Sequence, residues 1–379
     1  MPWQEASTVS LREEFVTLAS REETNVRELC RRFGISPTTG YRWLARHRAC
    51  GVTGLGDRSR RQRYSPHRTA AEIEAAILAL RAAHPVWGAR KRHQRLVDLG
   101  HADLPSASTI TTILRRHGRL DPAAAAKHAP WQRFEHPAPN DLWRMDYKGH
   151  VALADGRTRC HPLTVLDDHS RFAVAVAACA DERGATVRVQ LTAAFRRYGL
   201  PTRMLADNGP PFGSVAGGGW TPLTVWMLRL GVAVSHGRPA HPQTQGKEER
   251  FHRTLLAEAI TGRAFADLAA AQVAFDRFRD VSNLERPHQA LGLATPASRY
   301  RPSPRTFPDA LPPIEYGPDD LVRKVQGKGQ IFVGGRTFHV GQAFHGYPVA
   351  LRPTRDEAVK EVFFCHRRLG LLDLSEPLA

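Results

Sequence analysis

Three short apolar runs, "LWRMDYKGHVAL", "RCHPLTVLDD" and "RFAVAVAACA", follow one another from Leu142 to Ala180, separated by the turn sequences "ADGR" and "DDHSR". Short β-type runs bounded by Gly, Asp and Ser turns read as strands in a meander. The period then changes. Val187, Leu191, Phe195 and Tyr198 recur at helical spacing up to Gly199, the mark of an amphipathic helix. A strand "TRMLADNG", an apolar helix around Leu223–Leu230, a strand "GVAVSHG" and two helices near 245–260 and 265–282 complete the block. Three strands in a meander followed by β/α units predict a mixed α/β sheet with helices on its faces.

The segments on either side are of different kinds. In "NVRELCRRFGISPTTGYRWLARHR", Val26, Leu29, Cys30 and Phe33 recur at helical spacing, Gly34 permits a tight turn, and Ser36-Pro37 offers an N-cap followed by a first-turn proline. The next helix would hold Trp43 and Leu44 inward and Thr38, Thr39 and Arg42 outward, a helix-turn-helix pattern that also fits a plain helical hairpin. This all-α DNA-binding domain is assigned to 1–55. A Gly-, Arg- and Ser-rich linker carries Arg60 and Arg61, which could track phosphates. Residues 66–120 read as a second helix-turn-helix or winged-helix-like domain, with Ile73, Ile77 and Leu80 on one stripe, Ser106 or Ser108 as a cap, and Ile110, Ile113 and Leu114 buried. After a Pro- and Ala-rich linker the α/β block is placed at 136–300. Short alternating strands from 317 to 379 predict a small SH3-like β-barrel.

Charge narrows the partner. Lys and Arg number 54 against 37 Asp and Glu, a net +17, which favours a polyanion. No apolar run is long enough to span a membrane, and the start shows no signal-peptide pattern. Five scattered cysteines without a CxxC pair fit a reducing cytoplasm and argue against a cysteine zinc site.

Carboxylates supply the candidate chemistry. In "WRMDYK", the alternation of Trp143, Met145 and Tyr147 sends Asp146 to the opposite face. Asp207 stands at the carboxyl end of a strand, where ligands gather in such sheets. Glu248 and Glu249 lie together near the start of a later helix, in "GKEERFHRTL". Oxygen ligands of this kind suit Mg²⁺ or Mn²⁺, and two such ions can clamp the attacking and leaving oxygens of a phosphodiester. The plain alternative is a turn at Asp207-Asn208-Gly209 and a surface Asp146. Asp167 and Asp168, in "DDHSR", are assigned to a turn, with Arg171 pairing to an acid. His169, His236 and His241 lack a second pair at zinc-ligand spacing.

Together, "LWRMDYKGH", "LTVLDDHSRFAVA", "MLADNGPPF" and "HGRPAHPQTQGKEERFHRTL" resemble the DDE transposases of bacterial insertion sequences, whose catalytic core is of the retroviral-integrase type. The resemblance implies a ribonuclease-H-like fold and a carboxylate triad holding two divalent metals. Matched position by position, the triad falls on Asp146, Asp207 and Glu249, the last being the glutamate before "RF". The 41 residues between Asp207 and Glu249 exceed the commonest spacing, and the glycine-rich Gly213–Trp220 accounts for the excess. Lys247, Arg250 and Arg253 are candidate DNA contacts beside the scissile phosphate. The implied activity is cleavage at the element's ends followed by 3′-OH strand transfer into target DNA. The implied partners are terminal inverted repeats, target DNA and further copies of the chain in a bacterial, nucleoid-associated setting. Two rivals are a DNA-binding regulator with an inactive core and a nuclease of the same fold that cuts without joining.

Overall fold

The computed structural model describes residues 8–57, 68–120, 135–213, 219–236 and 242–375, without side chains for 242–245. It divides into two compact units, Met1–Arg68 and Thr69–Ala379.

In the first unit, α1 (Thr8–Ala19), α2 (Val26–Arg32) and α3 (Pro37–Cys50) bury Phe15, Val16, Leu29, Cys30, Trp43 and Leu44. Asn25 caps α2, and the Ser36 hydroxyl accepts from the Thr39 amide at 3.2 Å with Pro37 next. Between them Gly34 takes φ +65°, a conformation that costs glycine little. Close packing is visible at Gly40, where a Cβ would come within 2.4 Å of Cys30 Sγ. Trp43 carries the Arg12 and Arg46 guanidinium groups 4.1 and 4.4 Å from its ring centroid. The same two arginines donate to the carbonyls of Leu55 and Gly56, fastening the end of the domain.

The second unit begins with α4 (Ala71–Ala83), α5 (Ala89–Asp98) and α6 (Ala107–Arg116), packed through Ile77, Leu80, Leu96, Ile110, Ile113 and Leu114. Ser106 caps α6 by accepting from the Thr109 amide. Among the described residues no strand forms between 69 and 120, where the segment is three helices. Arg95 of α5 ties it to Glu285 further along the chain at 3.0 Å.

Strands β1 (Leu142–Tyr147), β2 (Val151–Ala152), β3 (Arg159–Asp167) and β4 (Ala173–Cys179) form the meander. After them come α7 (Gly184–Tyr198), β5 (Arg203–Ala206), α8 (Pro222–Arg229), β6 (Ala233–His236), α9 (Pro242–Leu255), α10 (Leu268–Asp280) and the short α11 (Pro296–Arg299). β3 pairs antiparallel with β1, β2 and β4, whereas β1–β5 and β5–β6 are parallel. The expected mixed sheet is therefore observed. Its two faces are built by alternation along the strands. Trp143, Met145, Leu163 and Val165 meet α7 and α8 through Leu191, Phe195, Trp226 and Met227. On the other face Leu166 and Val176 meet Phe251 and Leu255 of α9 and Phe275 and Phe278 of α10. At Gly199, φ +77°, a Cβ would lie 2.5 Å from the Ser303 carbonyl, which lets the 300–305 segment close over the end of α7.

The tail comprises β7 (Leu321–Lys324), β8 (Gln330–Val333), β9 (Arg336–His339), β10 (Pro348–Pro353), β11 (Val359–Phe364) and β12 (Arg367–Asp373). Contrary to the expected barrel, it is an open sheet in the order β12-β11-β10-β7 with a separate β8-β9 pair. The turn Gly327–Gly329, with Lys328 at φ +62°, leads into the hairpin, which meets the sheet by packing and by side-chain bonds such as Arg323 Nε of β7 to the Phe332 carbonyl of β8 at 3.1 Å. That packing includes Val225 and Leu228 of α8, which share one apolar cluster with Ile331, Phe344, Val349 and Phe364. Among the described residues no helix is long and apolar enough to cross a membrane.

Candidate active site

β1 and β5 place two acids side by side. Their parallel register runs Trp143↔Met204 and Arg144↔Leu205, and two residues on it brings Asp146 level with Asp207. Asp207 is exposed just beyond β5, its carbonyl in contact with His236 Nδ1 at 3.0 Å. The Asp146 side chain is 37% exposed. Burial pushes its carboxyl up to about 6, the Tyr147 amide opposes this, and the charge of Asp207 adds to it. Repulsion between neighbouring carboxylates is the electrostatic condition that a cation would relieve.

Helix α9 lies over this face and is fixed to it by polar contacts. Asp168, fully buried, receives Arg144 Nε of β1 at 2.5 Å and Lys247 Nζ of α9 at 2.6 Å. These two cations hold its carboxyl down at about 2 despite burial. One turn further, His252 Nε2 is 2.8 Å from Thr164 Oγ1, and Thr164 donates to the Asp146 carbonyl at 3.1 Å. With the hydroxyl proton spent there, His252 must donate from Nε2, which leaves Nδ1 facing Asp146 Oδ2 at 3.8 Å. Burial lowers the imidazole to about 4, so it is neutral at pH 7.

The two neighbouring glutamates occupy different environments. Glu248 is buried at 6% exposure beneath the helix, and its carboxyl is pushed up to about 8 by that burial, with Arg144 opposing and Asp146 and Asp168 adding. Glu249 is exposed. Helical geometry specifies on which flank: Phe251 packs on Phe278 of α10, and His252 faces Asp146. At about 100° per residue, Glu249 lies about 60° beyond His252 and nearly opposite Phe251. Among the described residues no group of three side chains closes into a metal-holding cluster.

Family models match most of the chain in pieces. "Integrase core domain" matches residues 136–242, a second model of that description matches 230–296, and "IS481 family transposase, C-terminal domain" matches 320–378. "Helix-turn-helix domain" and "Homeodomain-like domain" match 11–63 and 39–114. Among curated relatives, the insertion element IS476 uncharacterized 39.2 kDa protein of Xanthomonas euvesicatoria is 28% identical, over 67% of this chain and 72% of its own length. The insertion element IS407 uncharacterized 31.7 kDa protein of Burkholderia multivorans is 31% identical, over 46% and 59%. The chain belongs to the insertion-sequence DDE transposases with an integrase-type core. Among solved structures, the catalytic core domain of BIV integrase is 23% identical, covering 42% of this chain and 92% of its own, with TM-score 0.31.

In the transposase, the side chains expected to meet DNA fall into three groups. Thr38 and Arg42 are exposed on α3, Arg42 with its guanidinium 5.7 Å from the Trp43 ring centroid, and Thr39 is half-buried beside its cap; Arg250 and Arg253 are exposed on α9. Arg60 and Arg61 lie outside the described residues. Lys247 departs from expectation: its ammonium is paired with buried Asp168 and its side chain is only 17% exposed. A carboxylate with no exposure draws it inward. Asp167 accepts from the Ser170 and Asn140 amides, the turn role expected of it. Arg171 sits 3.8 Å from Asp168. Sequence reasoning missed His252, Thr164 and the Arg144–Asp168–Lys247 link. Of these only His252 left a signal, its three-residue spacing from Glu249.

Proposed function

We propose that this transposase cuts a phosphodiester at the ends of its element and joins the resulting 3′-OH to target DNA, with Asp146, Asp207 and Glu249 as ligands of two divalent cations. The observation that carries the proposal is the register of adjacent parallel strands β1 and β5, which brings Asp146 level with Asp207. The donor set fits the metal: three carboxylates are hard oxygen ligands suited to Mg²⁺ or Mn²⁺. The Asp146 carboxyl is raised chiefly by burial and further by the charge of Asp207, and a cation bound between them would offset both. When bound, the cations activate the attacking oxygen and neutralise charge building on the phosphate.

The chain's own residues do the rest. Asp146 and Asp207 hold the centre on rigid strands, while Glu249 closes it from the α9 flank. Neutral His252, tied to Thr164, keeps α9 at its distance from Asp146 without adding a charge. Arg250 and Arg253 steady the DNA backbone beside the scissile bond. Water attacks first and leaves a 3′-OH, which then takes the place of water and attacks the target strand. The domains at 1–55 and 66–120 bind the terminal inverted repeats, and the tail at 317–379 binds DNA or a neighbouring protomer. Joining two ends needs two DNA-bound active sites, hence a dimer or larger assembly on DNA.

The test is cleavage and joining on a plasmid carrying the gene's flanking DNA, in Mg²⁺ and Mn²⁺. Glu249→Gln is expected to depress both steps by about 10³-fold, the order lost with a group that stabilises transition-state charge, while Glu248→Gln retains both. A dead Glu248→Gln beside an active Glu249→Gln would move the third ligand by one position. Wild type that binds the flanks and never cuts would favour the regulator.

A further inference from the structure

A cleft opens where α5 and α6 meet the core, lined by Gly88, Arg90 and Lys91 of the α5 end, Ala107 and Ser108 of α6, and Gln289 from the core. Its charge is unbalanced. Lys91 is half-buried, and no hydrogen bond or ion pair of its side chain is recorded among the described residues. The nearby acids are engaged elsewhere: Glu258 pairs with Arg286 and Glu285 with Arg95. Arg286 and Arg250 add positive charge around Lys91. Glu258 is the acid that favours the charged Lys91, but it is bound to Arg286, and burial with the two arginines outweighs it, so a further anion would be stabilised here. Arg90 stands exposed at the rim, and no side chain caps α5. Arg250 follows Glu249 directly, so the cations that crowd Lys91 reach from α5 to the helix of the third proposed ligand.

We infer that this cleft seats the phosphodiester backbone of duplex DNA, held by Lys91 and Arg90, and hands that strand to the active site of the same chain. The inference rests on the strand-transfer proposal for its ligand. The anion is a polymer rather than free phosphate because the walls come from two helices and the core together, and because Arg90 at the rim and Arg286 and Arg250 around Lys91 spread the positive charge over more than one phosphate. Burial and the surrounding cations bring Lys91 down to about 8, which a phosphate would reverse.

Full-length protein and a labelled duplex from the element's end would be titrated across a salt series. Lys91→Met is expected to weaken binding by the same factor for cognate and scrambled duplexes, and to lower the salt slope by about 1, the loss of one phosphate contact. Lys91→Arg restores the slope, and Arg157→Ala, in an exposed turn, leaves it unchanged. Melting of Lys91→Met is expected to match wild type, since a buried charge has gone. An unchanged slope in a folded Lys91→Met, or a loss confined to the cognate duplex, overturns the inference. Mixing Lys91→Met with Asp146→Asn tests the delivery. If each chain cuts the end it holds, the mixture recovers no more joining than Lys91→Met alone. Recovery to wild-type level would show delivery to a partner. Failure of the strand-transfer proposal reads out separately, as wild type that binds with full slope and never cuts.

Discussion

A carboxyl at 6% exposure with a value near 8 is protonated at neutral pH, so Glu248 sits on α9 as a neutral acid. The folded chain holds the Glu248 proton up to about pH 8, whereas an ordinary glutamate releases it near 4.5. The stability that this proton confers is full below pH 4.5 and is lost as pH rises through 8, at up to about 1.4 kcal/mol per pH unit. Glu248→Gln is expected to flatten that slope, leaving the variant relatively more stable at pH 8 than at pH 5. Urea unfolding of both proteins at the two pH values measures it, and parallel curves would contradict the assigned burial. At this scale the sequence was half legible. Asp146 and Asp207 could be placed from strand alternation and a strand end. The α9 acids could not be told apart by periodicity, because the inward face includes polar His252 and Lys247 as well as Phe251 and Leu255. The family pattern, not the pattern of apolar residues, separated them.

Elements are held in register by contacts between residues far apart in the chain. Lys247 and Asp168 are 79 positions apart, and their bond sets how α9 lies on β1. Removing one member of a buried ion pair leaves an uncompensated charge and costs about 3–5 kcal/mol. Asp168→Ala is therefore expected to lower stability by that order, since Arg144 and Lys247 both lose this buried carboxylate. Lys247→Met combined with Asp168→Asn should recover part of the loss, because one of the stranded charges is removed with the acid. Thermal melts of single and double variants decide it; a double variant as unstable as the sum of the singles would show that the link does not couple α9 to the sheet. Local signals were legible at this scale. Ser36-Pro37 and Ser106 start α3 and α6 where side-chain oxygens can cap them, and Gly199 ends α7. Long-range ion pairs leave no local pattern, which is why "DDHSR" read as a turn with a nearby Arg171 pair and without the distant Arg144 and Lys247.

For the whole molecule, strand and helix order specified the mixed sheet, because three hairpin strands followed by β/α units have few alternatives. Closure of the tail was not legible. Alternating short strands look alike in a barrel and in an open sheet, and the difference lies in how the Gly327–Gly329 turn directs β8 and β9. The tail also lacks an independent interior, since Val225 and Leu228 of α8 complete its apolar cluster. Deleting 317–379 is expected to bare both residues, lower the melting temperature of the remainder and promote its aggregation, measurable by calorimetry and light scattering. A truncated protein that melts unchanged and stays monodisperse would refute the shared interior. The boundary near residue 317 is thus a boundary of sequence pattern rather than of cohesion. This tail is no bead on a string: any other tail grafted here would need a surface shaped to Val225 and Leu228 of α8, so core and tail are exchanged together or not at all.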